Sequence, residues 1–203
     1  PAVTMSNTTS ASLSLSNLIE DTYVFRLTVT DSKSATATND VTVNVTTLTS
    51  QHNGGTPASI PGKIETENYD LDGAEIAYHD ITVGNTGGVY RTDDVDIGTG
   101  NTGYVVGWTA TGEWLEYTVN VIQTGIYKFE FPVSTTNSGK TFYIELDGVN
   151  ITGTVSITNT GDWNTFQTIT VNNISLTAGN NKIMRIYPDG FNIDFINTTL
   201  STS

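Results

Sequence analysis

A strict alternation of apolar and polar residues marks the stretch that follows Gly112. The apolar set is Leu115, Tyr117, Val119 and Val121, and the set between them is Trp114, Glu116, Thr118 and Asn120. Side chains of a β-strand point alternately to its two faces. The pattern therefore predicts a strand with one buried face and one polar, aromatic face. We interpret it as the central strand of a β-sandwich.

Runs of the same period recur along the chain, whereas no apolar pattern of helical period exceeds two turns. Further strands are predicted at 63–67, 104–108, 126–134, 142–147, 153–158, 166–171, 182–187 and 191–196. Glycine-containing turns separate most of them, as in sandwiches and barrels. Residues 84–103 differ, because glycine is frequent and the strand pattern is nearly absent, which is typical of binding loops. The sequence thus predicts an all-β domain over residues 60–200.

Residues 1–46 form a shorter β segment. Alternation at 23–30 and 40–45 flanks a polar turn, which predicts a β-hairpin. Two or three strands bury too little apolar surface to be stable alone. The segment resembles the end of a PKD-like, immunoglobulin-fold spacer domain, and we expect a chain cut from a longer protein. Residues 47–59 are polar and aperiodic, and they are predicted to be a linker.

Composition limits the kinds of partner. Acidic residues outnumber Lys and Arg by 21 to 8 among 203 residues, so the formal net charge is −13. Such a chain is repelled by nucleic acid and by anionic membrane surfaces, and it suits a neutral ligand or a cation. Cysteine is absent, which excludes thiolate chemistry. No apolar run reaches roughly 18 residues, so no membrane insertion is expected.

Two glutamates, Glu65 and Glu67, share one face of the first predicted strand of the domain. Like charges this close repel each other unless something neutralises them. A calcium ion explains the pair, because Ca²⁺ binds several carboxylate and carbonyl oxygens. Asp194 completes such a site if the first and last strands are neighbours. The alternative is a pair of solvated glutamates on an edge strand.

Three aromatic residues lie near turns instead of within alternating runs: Tyr90, Trp108 and Trp163. An exposed aromatic ring matches the C–H face of a pyranose, and nearby polar groups can orient the sugar hydroxyls. Asn192, beside the turn at Asp189, is a candidate for such a group, since its amide both donates and accepts. The alternative for each ring is packing in the core.

Catalysis is not predicted. The chain has no Gly-x-Ser-x-Gly nucleophile motif and no cysteine. Glu113 and Glu116 flank Trp114 on opposite faces of one strand, so they cannot bracket a scissile glycosidic bond.

Several motifs occur together: Ile64-Glu65-Thr66-Glu67-Asn68-Tyr69-Asp70, Gly88-Val89-Tyr90-Arg91, Val95-Asp96-Ile97, Gly107-Trp108, Gly112-Glu113-Trp114-Leu115-Glu116-Tyr117 and Gly190-Phe191-Asn192-Ile193-Asp194. On these motifs, residues 60 to about 198 resemble a family 6 carbohydrate-binding module. The resemblance implies a jelly-roll β-sandwich that is appended to polysaccharide hydrolases and carries structural Ca²⁺. Its calcium ligands would be Glu65, Glu67 and Asp194.

The same resemblance assigns the sugar site. Tyr90 and Trp163 are expected to sandwich one sugar ring in a cleft at the loop end, and Asn192 to hydrogen-bond it. Glu75 would complete the rim. Trp108 is then expected to be a structural residue.

The implied function is that of a non-catalytic module, monomeric within a multidomain extracellular chain, which holds a bacterial hydrolase on its polysaccharide. A neutral β-glycan is expected, with β-1,3-glucan ends such as laminarin favoured over agarose and xylan. Some members also bind chains on the concave sheet face, where Trp114 and Glu116 are expected, but further aromatic residues marking that site are not evident. The alternatives are an adhesive or structural segment without a working sugar site, and a hydrolase domain.

Overall fold

A computed structural model of the chain describes residues 3–19, 21–45, 55–100 and 103–201. Its contacts divide the chain into two compact units, Pro1–Thr49 and Ser50–Ser203. Residues 47–54 of the predicted linker lie outside the described residues. Within the described ranges, no helix is long and apolar enough to span a membrane.

The first unit contains two antiparallel strand pairs, β1 Thr4–Ser6 with β2 Ser14–Ser16 and β3 Asp21–Thr30 with β4 Thr36–Val45. The β3–β4 hairpin runs in continuous register from Asp21 opposite Val45 to Thr30 opposite Thr36. Its turn is held by Asp31, whose Oδ1 accepts from the backbone N–H groups of Lys33 and Ala35. The predicted hairpin is therefore present.

The second unit is built from two facing sheets. The first sheet has the order β13-β12-β16-β10-β5, with β14 paired to β12 and β7 to β10. Its strands are β5 Ala58–Ile60, β7 Tyr78–His79, β10 Trp114–Val121, β12 Lys140–Leu146, β13 Val149–Asn150, β14 Val155–Ile157 and β16 Gly179–Pro188. Strand β5 begins two residues before the expected domain start at residue 60.

The second sheet has the order β6-β18-β11-β17-β9-β8, with β15 paired to β11. Its strands are β6 Gly62–Glu65, β8 Ile97–Thr99, β9 Tyr104–Val106, β11 Gly125–Ser134, β15 Gln167–Leu176, β17 Asn192–Ile193 and β18 Phe195–Leu200. A 3-10 helix, Thr66–Asn68, follows β6. The expected all-β sandwich is confirmed.

The core lies between the two sheets. The predicted inner face of β10 is buried, with Tyr117 and Val119 at most 1% exposed. Across the core, Phe131 of β11 in the second sheet packs against Phe142 of β12 in the first sheet, with ring centroids 4.8 Å apart. Burial of this apolar surface is the main force that holds the sheets together.

The other face of β10 is less open than alternation alone predicts. The Glu116 carboxylate is buried and accepts a hydrogen bond of 2.7 Å from Nε of Arg185, on neighbouring β16. The same guanidinium lies 4.1 Å above the Trp114 ring. Paired charges and a stacked cation thus cover this part of the outer sheet face.

Candidate functional site

A cavity of about 440 Å³ is formed by loops and short strands of the second unit. Its described lining residues are Gly87, Gly98, Thr99, Gly100, Val105, Trp108, Trp163, Asn164, Phe166 and Asn192. None of these residues carries a charged side chain. A mostly apolar cavity with a few polar groups suits a neutral ligand.

Trp108 forms one wall of the cavity. Its side chain is 56% exposed, and its backbone φ of 49° is uncommon for a bulky residue. The ring lies over Gly98, where an added Cβ would come within 3.2 Å of Cζ3. The expectation that Trp108 is a structural residue does not fit this half-exposed position.

Trp163 forms another wall, and its side chain is 40% exposed. Its carbonyl oxygen accepts two hydrogen bonds, from Oγ of Ser134 at 2.5 Å and from Nδ2 of Asn192 at 3.2 Å. The turn before the ring is fixed by Asp162, whose Oδ1 accepts from the backbone N–H of Asn164 at 2.7 Å. The structure therefore brings Trp163 and Asn192 together, as the sequence analysis expects.

Asn192 lines the same cavity as the two tryptophans. Since Nδ2 is bonded to the Trp163 carbonyl, the remaining group of the amide is Oδ1. No hydrogen-bond partner of Oδ1 occurs among the described residues. Gly107 lies close to this oxygen, because a Cβ added there would be 2.6 Å away. Asn192 thus retains an acceptor for a ligand hydroxyl.

Tyr90 is not among the described lining residues, although its side chain is 47% exposed. Its ring packs against Tyr104 at 4.6 Å between centroids, and its hydroxyl donates to Oδ1 of Asn68. The backbone of Tyr90 is left-handed, with φ 68°. This conformation and these contacts account for the direction of the ring. A contact between Tyr90 and a sugar stays a prediction.

Glu75 is also outside the described cavity lining. Its carboxylate lies 2.6 Å from Nδ1 of His79, whose strand β7 pairs with Trp114 on β10. Glu75 is thus tied to the edge of the first sheet. A contact between Glu75 and a sugar also stays a prediction.

Glu65 ends β6, Glu67 lies in the following 3-10 helix and Asp194 immediately precedes β18. The prediction that Glu65 and Glu67 share one strand face is therefore wrong, because the chain leaves the strand after Glu65. Strands β6 and β18 pair with Glu65 opposite Phe195, next to Asp194 in the chain. Glu67 is 7% exposed, and its Oε2 has no hydrogen-bond partner. Burial, followed by the charges of Glu65 and Asp194, raises the pKa of Glu67 to about 7.

A cation would relieve these penalties, so the buried oxygen of Glu67 fits a calcium ligand. Two observations limit the fit. Glu65 is paired with Nζ of Lys63 at 2.7 Å. Across the described ranges, no three acidic or histidine side chains converge as a metal-binding group. The strand register places the three acidic residues near one another. Their side chains, as they are directed among the described residues, do not converge on one point.

Two contributors to this site, Ser134 and Gly98, were not identified from the sequence. Ser134 lies at the end of an alternating run and shows no sign of its contact with Trp163. Gly98 is one glycine among several in its loop. Trp108 was recognisable from its place beside a turn, and only the fold shows that its ring lines the cavity.

Comparisons with known proteins agree with this architecture. The family model for carbohydrate binding module (family 6) matches residues 81–199, and that for a K319L-like PKD domain matches residues 1–45. The beta-agarase AgaA of Microbulbifer thermotolerans is 32% identical over 110 residues, which are 52% of this chain and 25% of that enzyme. The match thus spans about a quarter of the enzyme.

Two solved structures are similar to the second unit. The C-terminal family 6 module of LamC, a marine laminarinase from Zobellia galactanivorans, has a TM-score of 0.54 and 26% identity, with coverage of 68% of this chain and 98% of the module. The module of Cellvibrio mixtus lichenase 5A, in complex with cellotriose, has a TM-score of 0.50 and 25% identity, with coverage of 70% and 98%. Since the family model covers more than half of the chain, this protein belongs to the family 6 carbohydrate-binding modules, with a PKD-like segment at its N-terminus.

Proposed function

We propose that the second unit binds a neutral β-glycan in the cavity between Trp108 and Trp163. The observation that carries this proposal is the pair of half-exposed tryptophan rings in one cavity whose described lining has no charged side chain. One sugar ring lies against Trp163, and Trp108 replaces Tyr90 as the second wall. Oδ1 of Asn192 accepts a hydrogen bond from a sugar hydroxyl.

The physical basis is the match between a flat aromatic ring and the C–H face of a pyranose. An anionic sugar would gain no ion pair in this cavity and would face a net negative protein. A neutral sugar has no such cost.

The glycan that we favour is β-1,3-glucan, with laminarin chain ends as the test ligand. Its support is the similarity to a module of a laminarinase. Agarose follows closely because of the agarase relative, and xylan is the third candidate. The role in the whole protein is to keep a tethered, extracellular polysaccharide hydrolase near its substrate. Tethering raises the effective concentration of the enzyme even when one site binds weakly.

We also propose that Ca²⁺ binds at Glu65, Glu67 and Asp194 and links the end of β6 to the start of β18. The support is the buried oxygen of Glu67 together with the mutual repulsion of the three acids. The ion would neutralise their charge and stiffen the strand ends. Glu65 would exchange its contact with Lys63 for the ion.

The test is calorimetric titration of the chain with oligosaccharides of laminarin, agarose and xylan. Trp163→Ala and Trp108→Ala should each weaken binding by at least about 30-fold, because an aromatic anchor in an interface contributes about 2 kcal/mol or more. Phe25→Ala is the matched control, since Phe25 stacks on Tyr23 in the hairpin of the first unit. Tyr90→Ala distinguishes the two assignments of the second wall.

If Tyr90→Ala loses binding and Trp108→Ala does not, the second wall is Tyr90 and our assignment of Trp108 is wrong. Absence of binding to every glycan would reject the function itself. It would favour a structural or adhesive segment.

A further inference from the structure

The loop that carries Trp163 is joined to the residues that follow β11 by several hydrogen bonds. Oγ1 of Thr160 accepts from the backbone N–H of Thr135 at 3.0 Å, and the backbone N–H of Thr160 donates to the carbonyl of Thr135 at 2.9 Å. Nδ2 of Asn159 donates to the carbonyl of Thr136 at 2.6 Å. These bonds fix the beginning of the loop, three or more residues before the tryptophan.

The tryptophan itself is fixed by a different residue, Ser134. Ser134 is 0% exposed and is the last residue of β11, opposite Asn192 of β17 in the ladder. Its hydroxyl donates to the Trp163 carbonyl at 2.5 Å, which is shorter than the 3.2 Å bond from Asn192. A buried hydroxyl needs a partner, and the only one that the structure gives Ser134 Oγ among the described residues is this carbonyl.

We propose that Ser134 is a positioning residue for glycan binding, which acts through Trp163. The hydroxyl holds the backbone of Trp163 so that the ring stands in the cavity before any sugar arrives. The inference rests on the proposed function of the cavity. It adds a buried residue that touches no sugar.

The two donors to the Trp163 carbonyl, Ser134 and Asn192, have different roles. The bond from Nδ2 orients the amide of Asn192 so that Oδ1 is available to a sugar hydroxyl, while Ser134 holds the carbonyl from the end of β11. Without the serine hydroxyl, Asn192 is the one remaining side-chain donor to the carbonyl. A Trp163 ring that is ordered before the sugar binds loses less conformational entropy on binding. Removal of the Ser134 hydroxyl should therefore lower affinity.

The experiment compares Ser134→Ala with the wild type in laminarin-oligosaccharide titrations and in thermal melts. We expect affinity to fall about five- to tenfold and the melting temperature to fall by a few degrees, as for loss of one buried hydrogen bond. The matched control is Thr198→Val. Thr198 is 1% exposed and donates to the carbonyl of Gly62 at 2.9 Å, away from the cavity. Loss of this hydrogen bond in Thr198→Val should lower the melting temperature and leave glycan affinity unchanged.

A spectroscopic readout separates positioning from general stability. The near-ultraviolet circular dichroism of Trp163 is obtained as the difference between the wild type and Trp163→Phe. Ser134→Ala should lose most of this band at a temperature well below its melt, and Thr198→Val should keep it. Ser134→Cys preserves the approximate size of the side chain with a much weaker donor, and it should show the same losses if Ser134→Ala does not fold.

The outcomes are distinct. Wild-type affinity and an intact Trp163 band in both Ser134 variants would overturn the positioning role, while the proposed function would stand if Trp163→Ala still lost binding. If the wild type binds no glycan, the proposed function fails. In that case, loss of the Trp163 circular dichroism band in Ser134→Ala would still show that Ser134 orients Trp163, and an intact band would show that it does not.

Discussion

Replacement of Glu67 by glutamine tests the proposed calcium site, because loss of this charge should stabilise the metal-free protein. Glutamine has the size of glutamate and no charge. In the absence of metal and at a pH above the raised pKa of Glu67, the wild type buries an ionised carboxylate beside Glu65 and Asp194, with Oε2 unbonded. We therefore expect Glu67→Gln to stabilise the metal-free protein and to abolish its response to calcium.

The size of the effect follows from the pKa of Glu67. Burial and the neighbouring charges raise this pKa from 4.5 to about 7, which corresponds to about 3 kcal/mol against the ionised form. At a pH of about 8 the wild-type carboxylate is ionised, so the variant should gain up to about 3 kcal/mol in chelator. For a domain of this size that is about 6–12 °C in melting temperature.

Calcium should stabilise the wild type and have little effect on Glu67→Gln. A ligand at 100 times its Kd adds about 2.7 kcal/mol to a protein that binds it only when folded. The wild type should gain this stability, and Glu67→Gln should gain little. The assay is calorimetric melting of both proteins in chelator and in excess calcium.

Glu130→Gln is the control, because Glu130 is a surface residue paired with Lys128 and should change stability by less than about 1 kcal/mol. The reasoning is refuted if Glu67→Gln melts below the wild type in chelator, or if calcium stabilises both proteins equally.

Three further substitutions test individual contacts. Gly98→Val should push the Trp108 ring from its place and weaken glycan binding about tenfold, since an added Cβ would lie 3.2 Å from the ring; unchanged titrations would contradict the role of Trp108. Gly107→Ala should displace Oδ1 of Asn192, 2.6 Å from the new Cβ, and also reduce affinity about tenfold. Arg185→Met leaves the buried carboxylate of Glu116 without its cation, so urea denaturation should show a loss of about 2 kcal/mol with unchanged glycan affinity.

The regular part of the fold was predictable because side-chain alternation fixes which face of a strand is buried. The inner face of β10 follows this rule. The neighbouring positions of Glu65 and Asp194 were also expected, and the pairing of β6 with β18 agrees with them. Alternation did not predict the burial of Glu116, because its partner Arg185 lies about 70 residues later in the chain.

The loops were less predictable for a physical reason. Tyr90 and Trp108 both have left-handed backbones within glycine-rich segments, where sequence spacing does not determine the direction of a side chain. The motif around Tyr90 indicated a sugar contact, whereas the fold turns that ring toward Tyr104. Ser134 shows the same limit, since its contact with Trp163 joins the end of β11 to a loop 29 residues later in the chain.

The most direct test of the sugar site uses the three tryptophans of the chain, Trp108, Trp114 and Trp163. Each indole N–H gives one proton–nitrogen NMR signal, which single Trp→Phe variants assign. Titration with a laminarin oligosaccharide should move the signals of Trp108 and Trp163 in parallel and to saturation, while that of Trp114 stays in place. Movement of the Trp114 signal alone would place the glycan on the outer sheet face and contradict the account.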